Sequence, residues 1–202
     1  GQSYVLRVQL ADRALNARTT DFAFIYDAST PSISITLPNK PFHNVPISIT
    51  GSAVDLSPGV VAQVQLRIST ATQDWTGTAW TNTVPTWINV TGGLSPNWTY
   101  TSTPAWVNAQ SYTITAVSSD AAHNVSNPIA TYAFIYDTSH STQSITWPQS
   151  NARVRDLQTE QVRGLAGAAA PSVLKKVEVR VKRLGSNPAY WEPVGTNNFN
   201  TV

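Results

Sequence analysis

An internal repeat of about 110 residues is the feature that most restricts the fold of this chain. Residues 23–27, Ala-Phe-Ile-Tyr-Asp, recur unchanged at 133–137, an offset of 110 (133 − 23). Residues 3–8 and 111–116 share a Ser-Tyr start followed by alternating aliphatic positions, at an offset of 108 (111 − 3). Because similarity at a fixed spacing marks repeated structural units, the chain is predicted to be an array of similar small domains.

Alternation of apolar and polar residues predicts that each repeat is built of β-strands. In residues 64–68 and 112–116 every second residue is apolar, which is the period of a half-buried strand. Proline and glycine separate such runs, and no stretch keeps a helical period over about ten residues. The strands predicted for the complete repeat are 32–37, 47–54, 60–69, 97–101, 112–118 and 130–136, with irregular edge strands within 80–90. About seven strands in a repeat of this length predict an immunoglobulin-like sandwich.

The register of the repeat divides the chain into three parts. Residues 1–30 hold the last two strands of one repeat, residues 31–139 form a complete repeat, and residues 140–202 open a third. The predicted fold class is therefore all-β, with tandem immunoglobulin-like β-sandwiches, one complete and two partial. A partial sandwich leaves sheet edges uncovered, so neither end piece is expected to fold alone. Either neighbouring sequence completes them, or copies exchange strands in a head-to-tail polymer.

Composition excludes several classes of function. The chain has no cysteine, so disulfides and thiolate metal sites are excluded, and the absence of both cysteine and methionine suits an oxidising extracellular setting. Net charge is +2, and the basic residues within 175–183 alternate with valines, which indicates a solvated strand face and not a nucleic-acid partner. No apolar run approaches about 18 residues, so no membrane insertion is expected in this segment.

The motif Tyr-x-Ile-x-Ala-x-x-x-Asp-x-x-x-Asn at 112–124, followed by Tyr-Ala-Phe-Ile-Tyr-Asp at 132–137, resembles the Ig-like repeats of large bacterial cell-surface and adhesin-like proteins. The resemblance covers all 202 residues and implies a fold and an extracellular, cell-surface location, but no ligand. Leu6 and Ile114 stand where an antibody domain carries its second cysteine. Core packing is therefore expected to replace the disulfide.

Two tyrosines and two aspartates are predicted to have structural roles. Tyr4 and Tyr112 begin the penultimate strand of their repeats, the place of a tyrosine corner, in which the phenol bonds to the preceding loop backbone. Asp27 and Asp137 end the last strand before short joints to the next repeat. So short a joint leaves little room for rotation, and these aspartates are expected to orient the following domain through backbone N–H groups.

Two Asp–Asn pairs lie in the turn between the last two strands of a repeat: Asp12 with Asn16, and Asp120 with Asn124. Short polar side chains in such turns cap backbone amides. Calcium is the alternative interpretation, but two oxygen side chains are too few for its six to eight ligands. No metal-ligating and no cofactor-binding residues are therefore assigned.

Trp75, Trp80 and Trp87 are the candidate residues for ligand or inter-chain contact. They flank segments rich in threonine and asparagine, where burial is less expected than for Trp98 in its alternating strand. Aromatic clusters in sandwiches usually pack in the core, but an aromatic platform for sugar rings stays open as an alternative. Burial of the three tryptophans would favour an architectural role, and exposure would favour binding.

No catalytic residue is assigned, and the chain is not expected to be an enzyme. The three histidines lie in predicted loops without a serine and carboxylate partner at a recognisable spacing. The predicted function is a non-catalytic structural repeat of an extracellular stalk, fibre or adhesin-like surface protein. The alternatives are an adhesive or carbohydrate-binding module that uses the tryptophan-rich edge, and spacer domains of a larger secreted enzyme. Expected partners are neighbouring repeats in the same chain or in other copies, with surface glycans or proteins as further candidates.

Overall fold

The structure is a computed structural model that describes residues 1–82, 84–155 and 162–184, and the backbone of 189–191 and 199–201. All regular structure in these residues is strand, so the described chain is all-β, as predicted. The described part contains no helix that is long and apolar enough to cross a membrane. The chain divides into two compact units, Gly1–Thr138 (the N-terminal unit) and Ser139–Val202 (the C-terminal unit).

The strands follow the alternating segments of the sequence. In the N-terminal unit they are β1 (Gln2–Ala11), β2 (Ala17–Tyr26), β3 (Ser32–Leu37), β4 (Phe42–His43), β5 (Ile49–Val54), β6 (Val61–Ser69), β7 (Asp74–Trp75), β8 (Trp80–Thr81), β9 (Ile88–Asn89), β10 (Asn97–Tyr100), β11 (Gln110–Asp120) and β12 (Ala130–Tyr136). In the C-terminal unit they are β13 (Thr142–Trp147), β14 (Arg163–Gly167), β15 (Val181–Arg183), β16 (Ala189–Trp191) and β17 (Phe199–Thr201). Strands β3 and β12 have the bounds predicted from the sequence, whereas β4 was not predicted.

Strands β3 to β12 form two sheets in a sandwich-like arrangement. One sheet has the order β10–β5–β3, and the other has the order β4–β12–β11–β6–β7–β8, with β9 also paired to β6. Strand β4 runs parallel to β12, with Phe42 opposite Ile135 and His43 opposite Tyr136. The early strand β4 and the last strand of the sandwich, β12, therefore run in the same direction.

The core lies between the two sheets and is filled by alternate residues of the strands. Aliphatic side chains of β5, β6 and β11 are fully buried, and Trp98 and Phe134 are no more than 2% exposed. A Cβ atom added to Gly51 would lie 2.2 Å from Cζ2 of Trp98 and 2.0 Å from the carbonyl oxygen of Ser34. The indole therefore packs directly on the backbone of β5. The fully buried aliphatic residues are Ile49, Val64, Leu66, Ile68 and Ile114.

The hairpin β1–β2 has the same register as the hairpin β11–β12 but a different environment. Tyr4 is opposite Phe24, and the repeat-equivalent Tyr112 is opposite Phe134. Tyr4 and Phe24 are 44% and 52% exposed, whereas Tyr112 and Phe134 are 1% and 2% exposed. The two hairpins therefore pair in the same way, but the apolar face of β11–β12 is covered by a core, whereas that of β1–β2 is exposed to solvent.

The first two strands of the C-terminal unit also repeat an earlier pair. Strand β13 pairs with β14 antiparallel, and the register shifts between Ile145 and Trp147. Strand β3 pairs with β5 in the same sense, with its shift between Ile35 and Leu37. The irregularity is therefore a property of the repeat and belongs to both pairs of opening strands.

Candidate functional site

Three carboxylates meet at the end of the sandwich where the chain enters from the hairpin β1–β2. Asp27 follows β2, Asp55 follows β5, and Asp120 ends β11. One oxygen of each carboxylate lies within 4.8 Å of an oxygen of the other two. We call these three residues the aspartate cluster. Asp27 and Asp120 were predicted from the sequence to have structural roles, whereas Asp55 was not, because only the pairing of β3 with β5 brings position 55 to this end.

Asn124 ties the aspartate cluster to the preceding joint. Its side-chain Nδ2 donates to the carbonyl oxygen of Asp27 at 3.1 Å and to Oδ2 of Asp120 at 2.9 Å. Its backbone N–H donates to Oδ1 of Asp120 at 2.8 Å. Pro31, which ends the joint, is buried. The short joint is therefore fixed to the sandwich by a hydrogen-bonded turn and by apolar packing.

The first Asp–Asn pair forms the same turn in the open hairpin. The amide Nδ2 of Asn16 donates to Oδ2 of Asp12 at 2.8 Å, and its backbone N–H donates to Oδ1 at 2.9 Å. These bonds with Asn16 hold the pKa of Asp12 below its ordinary value. In both turns the residue before the asparagine has a positive φ, 68° for Leu15 and 67° for His123. The asparagines thus cap the turn, while the unusual φ belongs to their neighbours.

Asp55 is the member of the aspartate cluster that is least favourable as a charged group. Its Oδ2 is buried and accepts no hydrogen bond from the described residues. Burial raises the pKa of Asp55 above its ordinary value, and the charges of Asp27 and Asp120 raise it further. The Leu56 N–H and the side chain of Ser29 oppose this rise. The pKa of Asp27 is lowered instead, because the hydroxyl and the N–H of Ser29 donate to its carboxylate.

The chemistry of the aspartate cluster suits a hard cation, but its ligand number does not define a site. Carboxylate oxygens are the ligands that calcium prefers, and calcium takes six to eight of them. The cluster brings together one oxygen from each of three residues. In the described structure the three carboxylates lie together without a hydrogen bond between them, and the side chain of Asn124 links the Asp27 carbonyl to Asp120.

The two predicted tyrosine-corner residues have different partners. The phenol oxygen of Tyr112 accepts a hydrogen bond from the backbone N–H of Val107 at 2.9 Å. Burial raises the pKa of this phenol, and the Val107 N–H opposes the rise. The hydroxyl of Tyr4 donates instead to Oε1 of Gln2 at 3.1 Å, on an exposed surface. Tyr112 therefore fastens the loop before β11, and Tyr4 bonds only within its own strand.

The opposite end of the sandwich, where β12 ends, is closed by hydrogen bonds that two backbone N–H groups donate. The N–H of Asp137 donates to the carbonyl oxygen of His43 at 2.8 Å, and Asp137 is 8% exposed. The next residue, Thr138, donates its N–H to Oδ1 of Asn108 at 2.7 Å. The chain thus leaves the sandwich through a segment that is held on two sides, by β4 and by the loop before β11.

The three candidate tryptophans divide into a packed pair and one exposed ring. The indole Nε1 of Trp75 donates to the carbonyl oxygen of Ser102 at 3.1 Å, and its ring lies 5.6 Å from that of Trp80. Trp80 in turn stacks on Tyr112 at 6.0 Å. Trp75 and Trp80 are half-buried against the core, whereas Trp87 is exposed. Of the three candidate tryptophans, only Trp87 is exposed enough to contact a ligand through its ring.

A partly buried ion pair holds strand β7 on β6 and was not predicted from the sequence. Nε and Nη2 of Arg67 donate to Oδ2 and Oδ1 of Asp74 at 2.7 and 3.1 Å. Asp74 is fully buried, and its Oδ2 also accepts the N–H of Thr86 at 2.7 Å. Arg67 was placed in a strand, but no local spacing identifies Asp74 as its partner.

A shallow groove of about 210 Å³ lies on the outer face of β6 and β11. His123 is the titratable side chain of its lining, and no carboxylate or second histidine of the described chain joins it there. The lining offers amide and hydroxyl groups, which suit a polar surface more than acid–base chemistry. The lining residues are Gln63, Gln65, Val117, Ser118, Ser119, His123 and Val125.

Comparison with known proteins gives no match: no protein-family model and no curated protein sequence is similar to this chain.

Proposed function

We propose that this chain is a structural segment of an extracellular stalk or fibre, built from tandem immunoglobulin-like sandwiches of the kind that it resembles in adhesin-like surface proteins. The observation that carries the proposal is the parallel pairing of β4 with β12. In a stalk, tension enters one end of each sandwich and leaves at the other. Resistance to extension then depends on how the last strand, β12, is joined to the early part of the sandwich, and β4, the strand after β3, is the one that pairs with it.

The parallel strands β4 and β12 resist tension because their hydrogen bonds are loaded in shear. The Ile135 N–H donates to the carbonyl oxygen of Pro41 at 2.9 Å, and the Asp137 N–H donates to that of His43 at 2.8 Å. Pulling on β4 and β12 in opposite directions strains both bonds at once, whereas peeling would break them in turn. Below them, the buried aromatic side chains of Trp106 and Phe134, 5.3 Å apart, must also separate.

The fixed joint supports the same function. The Asn124 side chain holds the carbonyl of Asp27, and Pro31 is buried. A joint held in this way limits bending between successive repeats. Strands of five to ten residues plus such a joint would give each repeat a reach of about 35 to 45 Å.

The alternative that an observation favours is a binding module on the tryptophan-rich edge. Trp87 is 38% exposed, and it is the one of the three candidate tryptophans that does not pack against the core. Trp75 and Trp80 favour the architectural role, because their rings pack against the core. Loss of glycan or cell-surface binding in Trp87→Ala, with an unchanged free energy of unfolding, would favour the binding module. The role of spacer in a secreted enzyme shares the same architecture.

Force spectroscopy tests the proposed function directly. The chain is held by its two ends and extended, and the force at which residues 31–138 unfold is recorded. We expect a discrete force peak that Asp137→Pro lowers, because proline removes the N–H that bonds to His43. Asn108→Ala is the matched control, since it removes a bond at the same end of the sandwich but outside the β4–β12 pair. Extension without a discrete peak would overturn the proposal.

A further inference from the structure

The short strand β4, which pairs with β12, is anchored by a titratable side chain. Of its two residues, Phe42 is 38% exposed, whereas His43 is 8% exposed. The imidazole of His43 meets the ring of Phe134 edge-on, with the ring centroids 5.5 Å apart. His43 is therefore the side chain that holds β4 against the buried aromatic residues of the sandwich.

One nitrogen of the His43 imidazole has no hydrogen-bond partner. Its Nε2 is buried and makes no hydrogen bond with the described residues. A buried polar atom without a partner is uncommon in folded proteins and requires an explanation. A neutral imidazole can keep one nitrogen without a proton, but a protonated imidazole has an N–H on both nitrogens. Burial in this position therefore disfavours the charged ring.

The charged groups near His43 do not compensate for its burial. Lys40 lies three residues before it and disfavours a second positive charge, whereas a carboxylate such as that of Asp137, at the end of β12, favours one. The pKa of His43 is lowered, chiefly by burial and further by Lys40. The phenols of Tyr112 and Tyr136 carry no charge at neutral or acidic pH. The other segments of this end contain no titratable side chain: β3, residues 44–48 and residues 104–108.

We propose that β4 and β12 form an acid-sensitive latch, in which protonation of the His43 imidazole releases β4 from β12. The ring takes up a proton favourably where water solvates it, and it reaches water when β4 leaves the sandwich. Two backbone hydrogen bonds then open together, from the Ile135 N–H to Pro41 and from the Asp137 N–H to His43. The inference rests on the proposed function, because these are the bonds that bear the tension.

The direction of the pH effect follows from the lowered pKa of His43. Its ordinary value is 6.5, which applies when the ring is exposed in the released state. Between this value and the lower pKa of the latched state, the released state binds more protons. The latch is therefore fully stable above the ordinary value and loses stability as pH falls through the window. Each pH unit within the window favours release by up to about tenfold.

Hydrogen exchange measures the release at the two amides that β12 donates to this segment. The protection factors of the Ile135 and Asp137 N–H groups are followed by NMR, and each should fall by up to about tenfold per pH unit within the window. The Ala53 N–H, which bonds to the carbonyl of Pro96 in the other sheet, should keep its protection. Equal loss at all three amides would mean that the whole sandwich opens in acid, and it would overturn the latch.

Two variants of the latch itself test the role of His43. His43→Phe keeps an aromatic ring against Phe134 but cannot be protonated, so protection of the two amides should no longer depend on pH. Protection equal to that of the unchanged chain at about pH 8 shows that the variant keeps the latch closed. Lys40→Gln removes a repulsion that acts on the charged ring, so the loss of protection in acid should become smaller.

His123→Leu is the matched control for loss of a histidine. His123 is exposed, and leucine occupies the equivalent position in the first hairpin, at Leu15, with nearly the same φ. This variant should lose protection in acid as the unchanged chain does. A loss in His43→Phe as large as that in His123→Leu would show that another group responds to acid, and the proposal would fail.

Force spectroscopy separates this inference from the proposed function. We expect the force at which residues 31–138 unfold to fall between about pH 8 and about pH 5 in the unchanged chain but not in His43→Phe. An equal fall in both, or none in either, would overturn the latch and leave the stalk function standing. Absence of a discrete peak at the higher pH would overturn the stalk function, while the amide protection would still test the release of β4.

Discussion

The phenol oxygen of Tyr112 accepts a hydrogen bond from the backbone N–H of Val107 at 2.9 Å. This bond fastens the loop before β11 to the start of that strand. The phenol ring is at the same time part of the core, 4.8 Å from the ring of Trp106 and 5.6 Å from that of Phe134. One side chain thus joins a loop, a strand and the packing between the sheets.

Tyr112→Phe is expected to lower the free energy of unfolding by about 1–2 kcal/mol, because the Val107 N–H loses its acceptor in a partly buried place. Tyr4→Phe is the repeat-equivalent control and should leave it nearly unchanged, since Tyr4 is exposed and bonds only to Gln2. Urea unfolding followed by tryptophan fluorescence measures both. Equal effects at the two positions would contradict the tyrosine-corner interpretation.

Phe134→Ala is expected to cost about 3–5 kcal/mol of unfolding free energy, because it empties a fully packed position between Trp106 and Tyr112. Phe24→Ala removes the same ring from the equivalent position of the open hairpin. Phe24 is 52% exposed, against 2% for Phe134. Its loss should therefore cost little when the chain is dilute. A comparable cost at both positions would mean that Phe24 is already covered within a single chain.

Asp74→Asn should destabilise the N-terminal unit by about 2 kcal/mol, because it weakens two charge-assisted hydrogen bonds from the partly exposed Arg67 to a fully buried side chain. Asp21→Asn breaks an ion pair of the same two-bonded geometry with Arg7, but on the exposed hairpin. The effect of Asp21→Asn should lie within the error of the measurement and vanish at high salt. Urea unfolding at low and high salt separates the two pairs. An effect of Asp74→Asn as small as that of Asp21→Asn would contradict the interpretation that the Arg67–Asp74 pair stabilises the fold.

The aspartate cluster predicts a pH dependence of stability. The pKa of Asp55 in the folded chain is raised above its ordinary value of 3.8. Between the ordinary and the raised value the folded chain binds more protons, so stability falls as pH rises through this window. Asp55→Asn removes that loss, and its amide can donate to Asp27 or Asp120. We expect it to gain about 1 kcal/mol at neutral pH, and little below the window. Thermal unfolding at several pH values, with a chelator present, measures the difference from the unchanged chain.

Local sequence pattern was sufficient to place most strands but not the contacts between their ends. Alternation located β3 at its observed bounds, because Ile33, Ile35 and Leu37 pack against the core and alternate with serine and threonine. Strand β12 was located through its Ala-Phe-Ile-Tyr segment, which recurs from β2. Strand β4 escaped prediction because it has two residues, Phe42 and His43, and exists only through its pairing with β12. A two-residue strand carries no period of its own.

Those features of the candidate site that depend on local sequence were predicted, and those that depend on strand pairing were not. The Asp–Asn turn of residues 120–124 is a local motif, so its hydrogen bonds follow from sequence spacing. Asp55 joins Asp27 and Asp120 only after β5 has paired with β3, and Asp74 meets Arg67 only across the turn from β6 to β7. Burial of Trp75 and Trp80 likewise depends on the ring of Tyr112, which is distant in sequence.

Strand β11 has two neighbours that differ greatly in distance along the chain. Strand β12 follows it through a short turn, whereas Ile68 of β6 and its partner Ile114 are 46 positions apart (114 − 68). The hairpin can therefore form early and locally, but it stays without a core until a long loop has closed. Folding speed should depend on that closure, and changes in the β11–β12 turn should alter the folding rate less than changes at Leu66 or Ile68. A newly made chain would spend the interval with an exposed apolar hairpin, the period in which aggregation competes with folding.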